Sequence, residues 1–333
     1  MSLLYVDDDQ ATIGIDSNRC YVHYKDGMNV YVPIEVLDSI TITGRPQITT
    51  QCMQECLKRG IPVSYFSKGG KYFGRLQSTG HINVERQRMQ CSLYESGFAI
   101  ELSRRIIRAK LKNQAVVLRR YEKSRNIPEM EQSLKIKRYR ESVERAETIE
   151  EIMGYEGQAA KSYFEGLSKI INPDFKFKGR SRRPPLDEFN SMISLGYSII
   201  MNEIYGKLEA RGLNPYFGFM HRDKEKHPTL ASDLMEEWRA TIVDTLVIGM
   251  INGNEIHKNQ FYRDTDEPGC FITKEGLKTY IGKLEKRLQT EVKYLSTVEY
   301  PVSFRRAMDL QISSLIEAMT NKDAGIYCPV EIR

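Results

Sequence analysis

The chain of 333 residues is 41% hydrophobic and 10% aromatic, which excludes a disordered protein and leaves room for two cores. Its 49 Lys and Arg against 44 Asp and Glu give a net charge of +5, a mildly basic balance that assigns no partner by itself. No apolar run is long enough to span a bilayer, and the opening MSLLYVDDDQ lacks the basic and apolar regions of a signal peptide, so the expectation is a cytoplasmic protein with no membrane partner.

Residues 1–76 read as short strands at 3–6, 12–15, 19–24, 29–33, 39–43, 63–66 and 72–76. These stretches are rich in Val, Ile, Tyr and Thr and are separated by Asp, Asn and Gly. One helix, at 47–59, interrupts them and stops at Gly60. Within it Cys52 and Cys56 lie a turn apart and read as buried small side chains. The six cysteines include no CxxC pair, which argues against a structural zinc site. SKGGK at 67–71 reads as a hairpin turn, and the three aspartates at 7–9 as a solvated one.

From Val84 the pattern turns helical. Helices are predicted at 84–123, 128–152, 155–170, 186–211, 229–252, 273–293 and 301–320, with breaks at Pro, Gly and Asn clusters. Residues 77–83 read as a linker, and 321–333, with Gly325 and Pro329, as a loose tail or partner-binding arm. Lys and Arg outnumber acids over 101–145. A second basic knot holds Lys176, Lys178, Arg180, Arg182 and Arg183, with Phe175 and Phe177 among the charges. Either would suit a phosphate backbone; either also fits a solvated surface.

The chemistry concentrates at 214–239, NPYFGFMHRDKEKHPTLASDLMEEWR. A loop carries His221, held down by the apolar residues before it, and a helix opening near Pro228 projects Asp233 and Glu236. Residues three apart share a helix face. Leu230, Leu234, Met235 and Trp238 mark the buried side and place the two acids along its border, with Glu237 as an alternative ligand. Carboxylates with one imidazole suit Mg²⁺ or Mn²⁺. Glu156, at the start of a helix carrying Ala159, Ala160, Tyr163, Phe164 and Leu167, is the candidate third anchor. Singly, each has a plainer reading: a loop histidine is commonly a surface group, and acids in a first turn favour the helix dipole.

The blocks GRL at 74–76, NVERQRMQ at 83–90, AKLKNQ at 109–114, GYEGQAAKSYF at 154–164, RSRRPPLDEFNSMISLGYSI at 180–199 and LNPYFGFMH with TLASDLMEEWR across 213–239 resemble the CRISPR-associated adaptation endonuclease/integrase family, which inserts spacers into a CRISPR array. The resemblance runs through nearly the whole chain. It implies an α+β fold: a small N-terminal β-sandwich-like domain (1–76) that helps form a homodimer, then a larger all-α catalytic domain (84–320). Motif by motif, Glu156, His221 and Glu236 match the metal ligands, and Asp233 matches a further acidic position that some members use. His227 matches no ligand and reads as surface. Double-stranded or branched DNA as substrate, Mg²⁺ or Mn²⁺ as cofactor and a small second adaptation protein as partner are implied, with Arg180, Arg182 and Arg183 as candidate DNA contacts. Two other readings are a non-catalytic nucleic-acid-binding scaffold and a metallo-phosphodiesterase for small nucleotides; the second needs an apolar base pocket, for which the sequence carries no signal.

Overall fold

A computed structural model describes every residue except 1, 69–71, 77, 81, 264–267, 294–297 and 333. The SKGGK turn and the predicted break at 264–269 therefore lie partly outside the described residues. The chain divides into two compact units, Met1–Asn83 and Val84–Arg333.

In the first unit, β1 (Ser2–Val6), β2 (Thr12–Asp16), β3 (Arg19–His23), β4 (Asn29–Pro33), β5 (Leu37–Thr43), β6 (Gln47–Ile48), α1 (Thr50–Arg59), β7 (Val63–Phe66) and β8 (Tyr72–Leu76) follow in order. They build two four-stranded sheets, β1-β5-β7-β8 and β4-β3-β2-β6. The turn between β2 and β3 holds Ser17 and Asn18, both at positive φ, as a two-residue hairpin with right-handed strand twist requires. β1, β5 and β7 run parallel. Inward residues Ile13, Val22, Ile40, Ile42 and Val63 share one core with Cys52 and Cys56 of α1. Thr49 caps α1 by accepting from the Cys52 amide, and Gly60 ends it at φ 70°, the left-handed conformation glycine takes without strain.

The second unit is built from α2 (Val84–Tyr94), α3 (Gly97–Ser124), α4 (Glu131–Arg145), α5 (Ile149–Ile170), α6 (Glu188–Ala210), α7 (Thr229–Trp238), α8 (Thr245–Asn252), α9 (Lys274–Leu288) and α10 (Phe304–Asn321). It is not all-α. Two short antiparallel ribbons, β9 (Phe261–Tyr262) with β10 (Phe271–Ile272) and β11 (Glu291–Val292) with β12 (Val302–Ser303), lie between its helices, the second pair within stretches predicted as helix. α3 is the central rod and packs against α2, α4, α5 and α7. α7 continues into α8 through a π-helical turn, Arg239–Asp244.

Two helix starts differ from the sequence reading through a polar cap, and the tail differs through buried hydrogen bonds. The predicted helix at 84–123 is two helices, because Ser96 accepts from the Phe98 amide and starts α3 afresh. Thr148 accepts from the Glu151 amide, so α5 begins at Ile149. Glu156 therefore sits two turns inside a helix rather than at its start. The tail is not loose: Tyr327, Val330 and Ile332 are buried. The Val330 amide donates to Glu237 Oε2 at 2.6 Å and the Ile332 amide to Asn113 Oδ1 at 2.9 Å. Gly and Pro made the segment look mobile, but buried acceptors on α3 and α7 satisfy its backbone, which local composition does not reveal.

Candidate active site

The loop at 214–221 is wound onto the start of α7. Leu230 N donates to Pro215 O at 2.9 Å, and the Thr229 hydroxyl donates to Tyr216 O at 2.5 Å while accepting from the Gly218 amide at 2.9 Å. A Cβ at Gly218 would lie 2.8 Å from both Asp233 Oδ2 and the Thr229 backbone, so only glycine permits this approach. Asp233 gathers the loop's end. Its Oδ2 accepts from the amides of Phe219 and Met220 at 2.7 and 3.1 Å, and its Oδ1 accepts from the His221 amide at 3.1 Å. The same Oδ1 lies 2.6 Å from His221 Nδ1. A carboxylate bonded to one imidazole nitrogen fixes the ring and leaves Nε2 for a ligand, the arrangement commonly found behind metal-binding histidines. Burial works against the protonated ring, but Asp233 and the charge of Glu236 more than offset it, so His221 is more basic than an ordinary histidine.

α7 is buried on every side, which corrects the expectation that Asp233 and Glu236 flank its buried stripe. Asp233 is fully enclosed, and the side chain of Glu236 is only 4% exposed. Glu156 on α5 and Glu236 on α7 converge on one cation, the ammonium of Lys110 on α3. That group bonds Glu156 Oε1 and stands 2.5 Å from Glu236 Oε2. The ammonium thus bridges one oxygen of each carboxylate. Glu236 Oε1 pairs with Arg239 at 2.9 Å. Burial pushes the Glu236 carboxyl up, but Arg239, Lys110 and His221 overcome it and hold its pKa at about 2. This carboxylate is ionised.

Glu237 is not a ligand. It turns away and accepts from Tyr327 Oη at 2.6 Å and Gln311 Nε2 at 3.0 Å as well as from Val330. His227 is not a free surface group: its Nε2 lies 3.1 Å from Ser232 Oγ, and its ring centroid is 6.4 Å from that of His221. Burial together with the positive charge of His221, Arg183 and Lys224 lowers its pKa. Arg180 points inward. It donates to Asn190 Oδ1 and Ser194 Oγ at 2.9 and 3.0 Å and lies over the Tyr197 ring, whereas Arg182 and Arg183 are exposed. Phe175 and Phe177 do not interleave the charges at the surface. Both are buried, and Phe177 stacks on Phe189. Over 101–145 many basic side chains are already paired, among them Arg104 and Arg105 with Glu101, Arg108 with Glu144 and Lys112 with Glu331.

The family model of CRISPR associated protein Cas1 matches residues 4–286. The chain belongs to the Cas1 family. A relative from Mycobacterium tuberculosis, strain CDC 1551 / Oshkosh, the CRISPR-associated endonuclease Cas1, is 36% identical over 320 residues, 96% of this chain and 94% of its own. Among solved structures, a casposase bound to integration product superposes with a TM-score of 0.86 at 21% identity, covering 97% of this chain and 92% of that one. A Cas6-RT-Cas1–Cas2 complex gives 0.85 at 24% identity, covering all of this chain and 36% of that one. These two likenesses carry the fold. Family membership makes this Cas1 a CRISPR-adaptation nuclease.

The Cas1 site thus brings together Glu156 and Glu236 from distant helices, and ties His221 to Asp233 one turn from Glu236. Among the described residues, no three His, Cys, Asp or Glu side chains are arranged to hold a metal ion, and the Lys110 ammonium contacts both glutamates. The donor chemistry nonetheless fits a divalent cation: a buried ionised carboxylate, a second carboxylate, and an oriented imidazole. Lys110 and Arg239 were not singled out from sequence. A lysine three residues after Ile107 and four after Ile106 occupies an apolar-stripe position, and that misfit was the available signal.

Proposed function

We propose that this Cas1 is a metal-dependent DNA endonuclease and integrase, with Glu156, His221 and Glu236 holding Mg²⁺ or Mn²⁺. The observation that carries the reading is the meeting of Glu156 and Glu236, remote in sequence, around one buried positive charge. When bound, the ion supplies Lewis-acid stabilisation of a phosphodiester and lowers the pKa of an attacking oxygen. The chain's own groups prepare the place. Arg239 keeps Glu236 ionised, and Asp233 fixes the ring of His221. A Cβ added at Gly154 or Gly157 on α5 would meet nothing within 4 Å, so the helix surface next to Glu156 leaves room for a sugar-phosphate strand. In strand transfer the 3′-hydroxyl of an incoming DNA end would form a bond to the phosphorus of a target phosphodiester as the bond to the target strand's 3′-oxygen breaks and that oxygen leaves as a hydroxyl; with water as the attacking group the same site would cleave.

Arg182 and Arg183 are the proposed backbone contacts, which position DNA without reading its sequence. The protein works as a homodimer with a small second adaptation protein. The test is nicking of plasmid DNA and integration of a short duplex by the full chain with Mn²⁺, with and without that partner. Glu156→Ala, His221→Ala and Glu236→Ala should each lose on the order of a hundredfold or more in both reactions. Undiminished Mn²⁺-dependent nicking by Glu156→Ala would remove the assignment. Nicking absent from the unaltered chain under all these conditions would favour a binding scaffold.

A further inference from the structure

A buried carboxylate, Glu236, and a partly buried one, Glu156, meeting at one point need compensating charge to stay ionised together. Arg239 compensates Glu236 from one side. The remaining demand is met by Lys110, whose side chain is 4% exposed, between Glu156 and Glu236. Its backbone lies on α3 among Ile106, Ile107 and Leu111, so an uncompensated ammonium there would be costly. The oxygens it touches belong to the same glutamates that the proposed metal site requires. An ammonium and a divalent cation cannot share them, because the two repel at contact distance. Lysine, a point charge on a flexible four-carbon stem, can retract without moving its helix.

We propose that Lys110 is the resident counter-ion of the carboxylate pair, and that a divalent cation enters by displacing its ammonium from Glu156 and Glu236. The inference rests on the metal site proposed above. It makes Lys110 a positioning residue that sets how tightly the ion is held: strong enough to keep both helices together, weak enough to yield to two positive charges. Asp233 stays outside this exchange, since its oxygens are taken by the loop amides and His221.

Two measurements on the full chain test it without using activity. In calorimetric titration with MnCl₂, Lys110→Met removes the competitor and should tighten binding by about tenfold or more, a shift of about 1.4 kcal/mol per factor of ten. Lys110→Arg keeps the charge and should stay near the unaltered protein. Equal Mn²⁺ affinity in Lys110→Met and the unaltered chain would overturn the displacement. In the unaltered chain, which needs no variant to fold, modification of Lys110 by an amine reagent, followed by peptide mass mapping, should rise on adding Mn²⁺. An unchanged extent of modification would likewise overturn it. If neither the unaltered chain nor Lys110→Met binds Mn²⁺, the metal-site reading fails first and takes this inference with it. Binding lost in Glu156→Ala but equal in the other two would sink only the displacement.

Discussion

Asp233 is an anchor before it is anything else. Four donors converge on its two oxygens, three of them loop amides, so Asp233→Ala would leave the Phe219 and Met220 amides buried without an acceptor. We expect it to cost on the order of 3 kcal/mol in denaturant unfolding, well above a surface substitution. A loss below about 0.5 kcal/mol would show that the loop holds itself. Glu237, its near neighbour, makes a different prediction. Burial outweighs the donors from Tyr327, Val330 and Gln311 and pushes its pKa from 4.5 up to about 8. The native carboxyl therefore keeps a proton that the unfolded chain releases near 4.5. The resulting stability is fully present below that pH and lost as pH rises towards 8. Glu237→Gln mimics the protonated form, so the unaltered protein should lose stability relative to the variant across that window. A difference in Tm that does not change with pH would contradict this.

At the scale of elements, what was legible in the sequence was what lies close along the chain. The β2–β3 hairpin, the α1 stop at Gly60 and the His221 loop followed by the α7 acids all follow from neighbouring residues. What was not legible depends on elements meeting. The burial of α7 on its polar side comes from α3 and the last residues of the chain, and the ammonium between Glu156 and Glu236 comes from α3 as well. The basic knot at 176–183 shows the same limit. Its composition suggested aromatics among free charges, yet the phenylalanines and Arg180 turn inward and leave Arg182 and Arg183 outside. Charge reversal at both, Arg182→Glu with Arg183→Glu, should weaken DNA binding and flatten the slope of log affinity against log salt by about 0.9 for each lost phosphate contact. An unaltered slope would assign the backbone contacts elsewhere. The π-helical turn Arg239–Asp244 has no sequence signature at all; it adds width just after Glu236, and such turns recur at functional sites.

Across the molecule, the fold class and the order of units were readable because the change from two-residue to helical periodicity at Val84 is abrupt. The end of the chain was not, and its placement matters most for how the helical unit closes. Tyr327, Val330 and Ile332 are buried, the first two bonded to Glu237 on α7 and the last two to Asn113 on α3. A chain stopped after Gly325 should unfold at lower temperature and lose Mn²⁺-dependent nicking, although no candidate ligand has been touched; intact activity would show the strap to be dispensable. During synthesis, Glu156, His221 and Glu236 all emerge before the residues that back them, and larger chains fold in stages. Folding of the helical unit is therefore expected to finish with residues 327–332 docking onto Glu237 and Asn113, after the segments that carry Glu156, His221 and Glu236.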